Sequence, residues 1–113
     1  MMFHNEQGFT IDTSAPAIAR LSGVLRLSSP ADYEERFEPI RRAMVDAADG
    51  YTIDLSQVRF LNSSGITSLS RIVLLARTQD KPLDIVGSEG IAWHSKTLNL
   101  LKKLYTKLDV RLL

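Results

Sequence analysis

The chain has 113 residues, 44% hydrophobic and 24% charged, which suits one domain around one core and excludes a disordered tail, a collagenous repeat or a coiled-coil rod. Fourteen Lys and Arg against thirteen Asp and Glu leave a formal charge of +1, without the basic excess of a non-specific nucleic-acid binder. Cysteine is absent and the two histidines, His4 and His94, lie far apart, so disulfides, thiolate metal sites, a cysteine nucleophile and a His-rich metal centre are not expected.

In chain order, residues 9–13 alternate apolar and polar as a half-buried strand does. Residues 17–21 and 24–27 read as extended, with Ser22-Gly23 as a bulge or turn between them. These opening segments form a hairpin or two neighbouring strands. Ser28-Ser29-Pro30-Ala31-Asp32 then announces a helix, with Ser29 as N-cap, Pro30 at the first helical position and Asp32 at the positive end of the dipole. Tyr33, Phe37, Ile40, Met44 and Ala47 make one helical stripe. Pro39 interrupts it and predicts a bend or restart near Glu38. Gly50 supplies the C-terminal stop.

Residues 51–55 read as a strand, and residues 58–61 as a second short apolar piece that leads into Asn62-Ser63-Ser64-Gly65. From Ile66 the period becomes helical, with Ile66, Leu69, Val73 and Ala76 as one stripe that Ile72 and Leu75 widen. This helix ends before Pro82, because the residue preceding a proline is pushed out of the α region. Residues 83–87 form another strand, followed by the loop Ser88-Glu89-Gly90. A last helix carries Leu98, Leu101, Tyr105 and Leu108 on one face, and residues 110–113 close the sheet. His94 at the start of that helix is expected as a capping or surface residue. Its neighbour Trp93 reads as a packing anchor or a partner contact. Alternating strands and helices in one short domain, residues 1–113, imply an α/β layer fold. The longest apolar run, residues 72–76, is far short of the roughly 20 residues that cross a bilayer, and residues 1–10 lack the regions of a secretory signal, so membrane insertion is not expected and the cytoplasm is the expected location.

The chemically informative stretch is residues 53–76. A buried strand ends in a polar turn and a helix begins at once, which sets two hydroxyls at the positive end of a helix. A phosphate added there is stabilised by free amides and places about −1.5 to −2 charges on a neutral surface. The same residues also serve as an ordinary N-cap. A serine hydrolase would need a Gly-x-Ser-x-Gly elbow and a histidine base. The turn lacks the first glycine, so catalytic residues are not expected. Arg36, Arg41 and Arg42 on the first helix and Lys96, Lys102, Lys103 and Lys107 on the last read as solvated faces, or as an interface for an acidic partner.

Ile53-Asp54-Leu55 followed by Val58-Arg59-Phe60-Leu61-Asn62-Ser63-Ser64-Gly65-Ile66 resembles the core of STAS domains, the family of bacterial anti-sigma factor antagonists. That family's pattern is a strand ending in Asp-Leu, an apolar pair, then Asp-Ser-Ser-Gly opening a helix. Element order carries the resemblance over almost the whole chain, and the motif is specific over residues 53–76. It implies a single domain whose mixed sheet of four to six strands is covered mainly on one face by three to four helices. It also implies a non-enzymatic, cofactor-free module of bacterial signal transduction. Its partners would be a GHKL-type serine kinase, which is also the anti-sigma factor, and a metal-dependent serine phosphatase. Ser64 is then the phosphoacceptor, with Ser63 as the substitute. Asn62 orients the turn, Gly65 permits close approach, and Thr67, Ser68 and Arg71 complete the contact surface. Asn62 stands where the family carries Asp, which removes a charge beside the acceptor and brings Ser63 into play. STAS domains also serve as constitutive subunits of signalling or lipid-transport assemblies, without a phosphorylation cycle.

Overall fold

Phe9, Ile11, Ala19, Leu21, Ile53, Leu55, Leu83 and Ile85 are buried, and the residues between them along each strand are mostly polar. This period of two is what a sheet with one covered face requires. The computed structural model describes residues 8–113 in full and residues 2–4 as backbone. Its strands are β1 (Met2–His4), β2 (Phe9–Asp12), β3 (Ile18–Leu25), β4 (Tyr51–Leu61), β5 (Leu83–Gly87) and β6 (Leu108–Leu112), and its helices are α1 (Pro30–Asp46), α2 (Ser63–Thr78) and α3 (Ala92–Leu101). A 3-10 turn (Lys102–Leu104) follows α3.

The six strands stand in the sheet in their chain order, β1-β2-β3-β4-β5-β6. β1, β2 and β3 pair antiparallel, and β3 to β6 pair parallel. Successive right-handed crossovers that all advance in one direction put their helices on one face. α1 packs on α2, α2 meets the 3-10 turn, and α3 covers β5 and β6. One continuous core lies between this layer and the sheet. Of the two alternatives for the opening segments, β2 and β3 form the hairpin. Ser22 and Gly23 do not divide two strands, because β3 runs unbroken through them at a register irregularity against β4. Gly23 has φ +94, and a Cβ there would meet the Gly8 carbonyl oxygen at 2.0 Å.

α1 begins as its sequence dictates. Ser29 is the N-cap and its Oγ accepts from the Asp32 amide at 3.3 Å. Tyr33, Phe37, Ile40 and Met44 are buried along the predicted stripe. At Pro39 the helix does not restart but continues to Asp46, with Arg41 donating to the Glu34 carbonyl in the turn before the proline. Gly50 is not its stop either. The chain turns extended at Ala47, and Lys81 caps the end from outside by donating to the carbonyls of Val45 and Ala47. α2 ends in a Schellman motif, with Asp80 at φ 52, Lys81 N–H bonded to the Ala76 carbonyl and Asp80 N–H to the Arg77 carbonyl.

The last helix is shorter than its apolar spacing suggests. Leu98 and Leu101 are buried on α3, whereas Tyr105 lies beyond the 3-10 turn and Leu108 opens β6, although both are buried. The apolar run is helix, turn and strand in succession, all facing one core. β4 joins two segments that the sequence suggested were separate. It is a single strand of 11 residues, with two register shifts against β3 that each insert an extra β4 residue. Among the described residues no helix is long and apolar enough to cross a membrane.

Candidate functional site

The second half of β4 carries the chain to the carboxyl edge of the parallel strands, where α2 begins. Asn62 is the N-cap. Its Oδ1 accepts from the Gly65 amide at 3.1 Å and from the Tyr33 hydroxyl at 2.7 Å. Its Nδ2 donates to the Leu27 carbonyl at 2.9 Å. Its main-chain N–H reaches the Leu25 carbonyl at 3.3 Å. The Tyr33 hydroxyl in turn accepts from the Leu27 amide at 3.2 Å. One carboxamide therefore ties α2 to α1 and to the segment between β3 and α1. Burial raises the Tyr33 pKa, so the phenol stays a neutral donor.

This anchoring fixes the two hydroxyls. Ser63, the first residue of α2, is exposed, and Ser64 is half-buried. Neither hydroxyl has a hydrogen-bond partner among the described residues. The Gly65 amide is taken by the Asn62 side chain and the Ile66 amide by the Asn62 carbonyl, which leaves the amides of Ser63 and Ser64 as the uncommitted donors of the helix start. The turn can therefore present an accessible nucleophilic oxygen to another protein, and can hold an anion attached to it.

The other predicted contact residues divide. Thr67 and Arg71 are exposed, one and two turns below Ser63. Arg71 pairs with Glu34 of α1 at 3.0 Å, and Glu34 also holds Arg41 at 2.8 Å. Ser68 is not on this surface. It is fully buried and its Oγ has no partner among the described residues, because position 68 falls with Gly65, Leu69 and Ile72 on the inward side of the helix. Gly65 is also buried, and the close approach it permits lies within the chain: an added Cβ would stand 2.3 Å from Leu61 Cδ1 and 2.9 Å from Tyr33 Cζ. Arg41 and Arg42 are paired with Glu34 and Glu38, and Lys107 with Asp80. The α1 cluster is thus an ion-paired helix face, whereas Lys96, Lys102 and Lys103 are exposed and have no ion-pair partner among the described residues.

Sequence reasoning missed residues beside the turn. Phe60 is 39% exposed, and the Arg26 guanidinium lies 4.8 Å from its ring centroid. Leu74 extends the exposed stripe of α2. A signal for Phe60 was present, since adjacent apolar residues in a strand face opposite sides and only one of Phe60 and Leu61 can join the core.

The Trp93-His94 pair is structural. Trp93 is half-buried and donates from Nε1 to the Arg59 carbonyl at 3.0 Å. His94 is neither a surface nor a capping residue. It is fully buried, with Nδ1 accepting from the Ser88 amide at 2.8 Å and Nε2 donating to the Val58 carbonyl at 2.7 Å. Those bonds specify the neutral tautomer protonated on Nε2. Desolvation by burial lowers its pKa, opposed in part by the Val58 carbonyl. The two side chains clamp successive carbonyls of β4 directly before the turn. His4 lies outside the residues described with side chains. Among the described residues no three His, Asp or Glu side chains are grouped so as to hold a metal ion.

No protein-family model matches the chain, and no curated protein matches it in sequence. In three dimensions it is similar to the activator SiaC in the crystal structure of the diguanylate cyclase SiaD in complex with SiaC from Pseudomonas aeruginosa, with a TM-score of 0.76 over 100% of this chain and 99% of that one. The sequences are 11% identical, so what the two chains share is the fold.

Proposed function

We propose that this chain is a non-enzymatic regulatory module of the STAS type, which docks onto a partner protein through the start of α2 and is released when a serine of the turn is phosphorylated. The observation that carries this reading is the hydroxyl pair itself. Ser63 is exposed and Ser64 half-buried on a turn that the Asn62 side chain anchors to α1 and to the segment between β3 and α1, and neither hydroxyl is committed to a bond among the described residues. The likeness of fold to SiaC, which is seen in complex with a diguanylate cyclase, supports a role in binding a signalling protein. The partner is a GHKL-type serine kinase that is also the regulated protein, and a serine phosphatase resets the module. Ser64 is the acceptor and Ser63 its substitute. Phosphorylation takes the γ-phosphoryl group of ATP onto the serine oxygen, releases ADP and passes the hydroxyl proton to a base of the kinase. The added −1.5 to −2 charges, approximately, then lie on the face that the partner covers.

The test is mass spectrometry of the protein isolated from its native host, combined with pull-downs of wild type, Ser63→Asp and Ser64→Asp. The expected result is phosphate on one of the two serines and loss of one specific partner by the corresponding aspartate variant. Unmodified serines throughout growth, with identical partners for all three proteins, would reject the switch and leave a constitutive subunit.

A further inference from the structure

β6 is an outer strand of the sheet, and among the described residues nothing pairs with its free side. Which backbone groups are unpaired follows from the ladder on its other side. The Lys107 carbonyl accepts from the Leu83 amide, the Leu113 amide donates to the Gly87 carbonyl, and the Leu113 carbonyl accepts from the Glu89 amide. The odd-numbered residues therefore turn their N–H and C=O toward β5. Leu108, Val110 and Leu112 turn theirs toward the open edge. Side chains alternate across the sheet as well. Leu108, Val110 and Leu112 face the helix layer and its core. Asp109 and Arg111 are exposed on the bare face, beside Asp84 and Val86 of β5. Neither Asp109 nor Arg111 has an ion-pair partner among the described residues.

We infer that this edge is an interface for a second copy of the chain, with the two β6 strands paired antiparallel about a two-fold axis through Val110. The sequence Leu-Asp-Val-Arg-Leu is self-complementary in that register. Val110 meets Val110 of the second copy as a hydrogen-bonded pair, and Leu108 meets Leu112, so every outward N–H and C=O of these residues finds a partner. Asp109 stands opposite Arg111 of the second copy at a non-hydrogen-bonded position, where opposed side chains come closest. The axis makes this happen twice. The neighbouring registers are disfavoured. One sets Asp109 against Asp109 and Arg111 against Lys107, and the other sets Arg111 against Arg111. The charges that would repel a foreign strand thus select one pairing with a copy of the same strand.

The result is a continuous sheet of two copies, with all helices on one face and Val110, Leu108 and Leu112 forming an apolar seam beneath them. Asp109 also gains a cation where in the single chain its parallel neighbour is Asp84. The turn at Asn62 lies away from this edge, on β4 and α2, so the inference stands apart from the proposed phosphoswitch.

Sedimentation equilibrium from micromolar to near-millimolar concentration tests the interface. Wild type is expected as a dimer, and Asp109→Arg and Arg111→Asp each as a species with a dissociation constant raised at least about tenfold. The double variant Asp109→Arg/Arg111→Asp is expected to dimerise again, because it reverses both pairs without changing their sum. Far-UV circular dichroism checks that each variant is folded. A wild type that stays monomeric over the range overturns the inference. So does a dimer indifferent to the single exchanges, or one that the double exchange fails to restore.

Discussion

At position 62 the side-chain nitrogen donates to the Leu27 carbonyl while the side-chain oxygen accepts from Tyr33 and Gly65. An aspartate would keep both acceptor bonds and set a second acceptor against the Leu27 carbonyl. Asn62→Asp is therefore expected to destabilise the fold by about 1–3 kcal/mol, the usual cost of leaving a buried polar group opposed rather than paired, read as a lower denaturant midpoint. Equal midpoints at neutral pH would show that the amide is not needed. The role of the amide depends on Leu27 and Tyr33, which no inspection of residues 62–65 could supply. Ser68 gives the opposite case. Its buried hydroxyl has no partner among the described residues, so Ser68→Ala should raise stability by about 1 kcal/mol, from helix propensity and the removed hydroxyl together. Thermal denaturation checks this, and partner binding should be untouched.

At the scale of elements, the starts of the helices were legible and their ends much less so. Ser29-Pro30 and Asn62 act locally, through side chains bonding to amides within one turn. The end of α1 depends on Lys81, 35 residues beyond Asp46, and the end of α3 on a 3-10 turn that keeps Leu101 and Tyr105 in the same core. The phase of β4 was likewise hidden, because its extra residues are defined only against β3. His94 locks that strand to the β5–α3 connection. Its pKa is lowered in the fold, so protons bind the unfolded chain more tightly. The stabilising contribution is complete above the unfolded value near 6.5 and is lost as pH falls below it. Wild type should therefore lose more unfolding free energy than His94→Gln between about pH 7 and about pH 5.5. Urea titrations at both pH values measure the difference, and parallel losses in the two proteins would assign the slope to other groups.

For the whole molecule, the alternation of strands and helices in sequence was enough to give the α/β class, whereas one helix-covered face was an expectation of the resemblance alone. The candidate site was legible as a turn of hydroxyls but not as a surface, because exposure depends on how α2 is rotated. That rotation buries Ser68 and Gly65 and leaves Ser63, Thr67, Arg71 and Leu74 outside. A negative charge at the start of α2 should not disturb this packing. Ser63→Asp and Ser64→Asp are expected to melt within a few degrees of wild type, because a helix N-terminus favours an anion by about 0.3–1 kcal/mol. A collapse of the melting temperature in either variant would mean that a phosphate there unfolds the module instead of masking it.

The monotonic strand order bears on how the molecule assembles. Each strand lies beside only its immediate predecessor and successor in the chain, so no strand has to be threaded between two that are already joined. A nascent chain could add one strand-and-helix unit after another to a growing edge, and each unit would find its docking surface complete on arrival. Such a route keeps loop closures short, and at every stage only the newest edge is left open to misassembly.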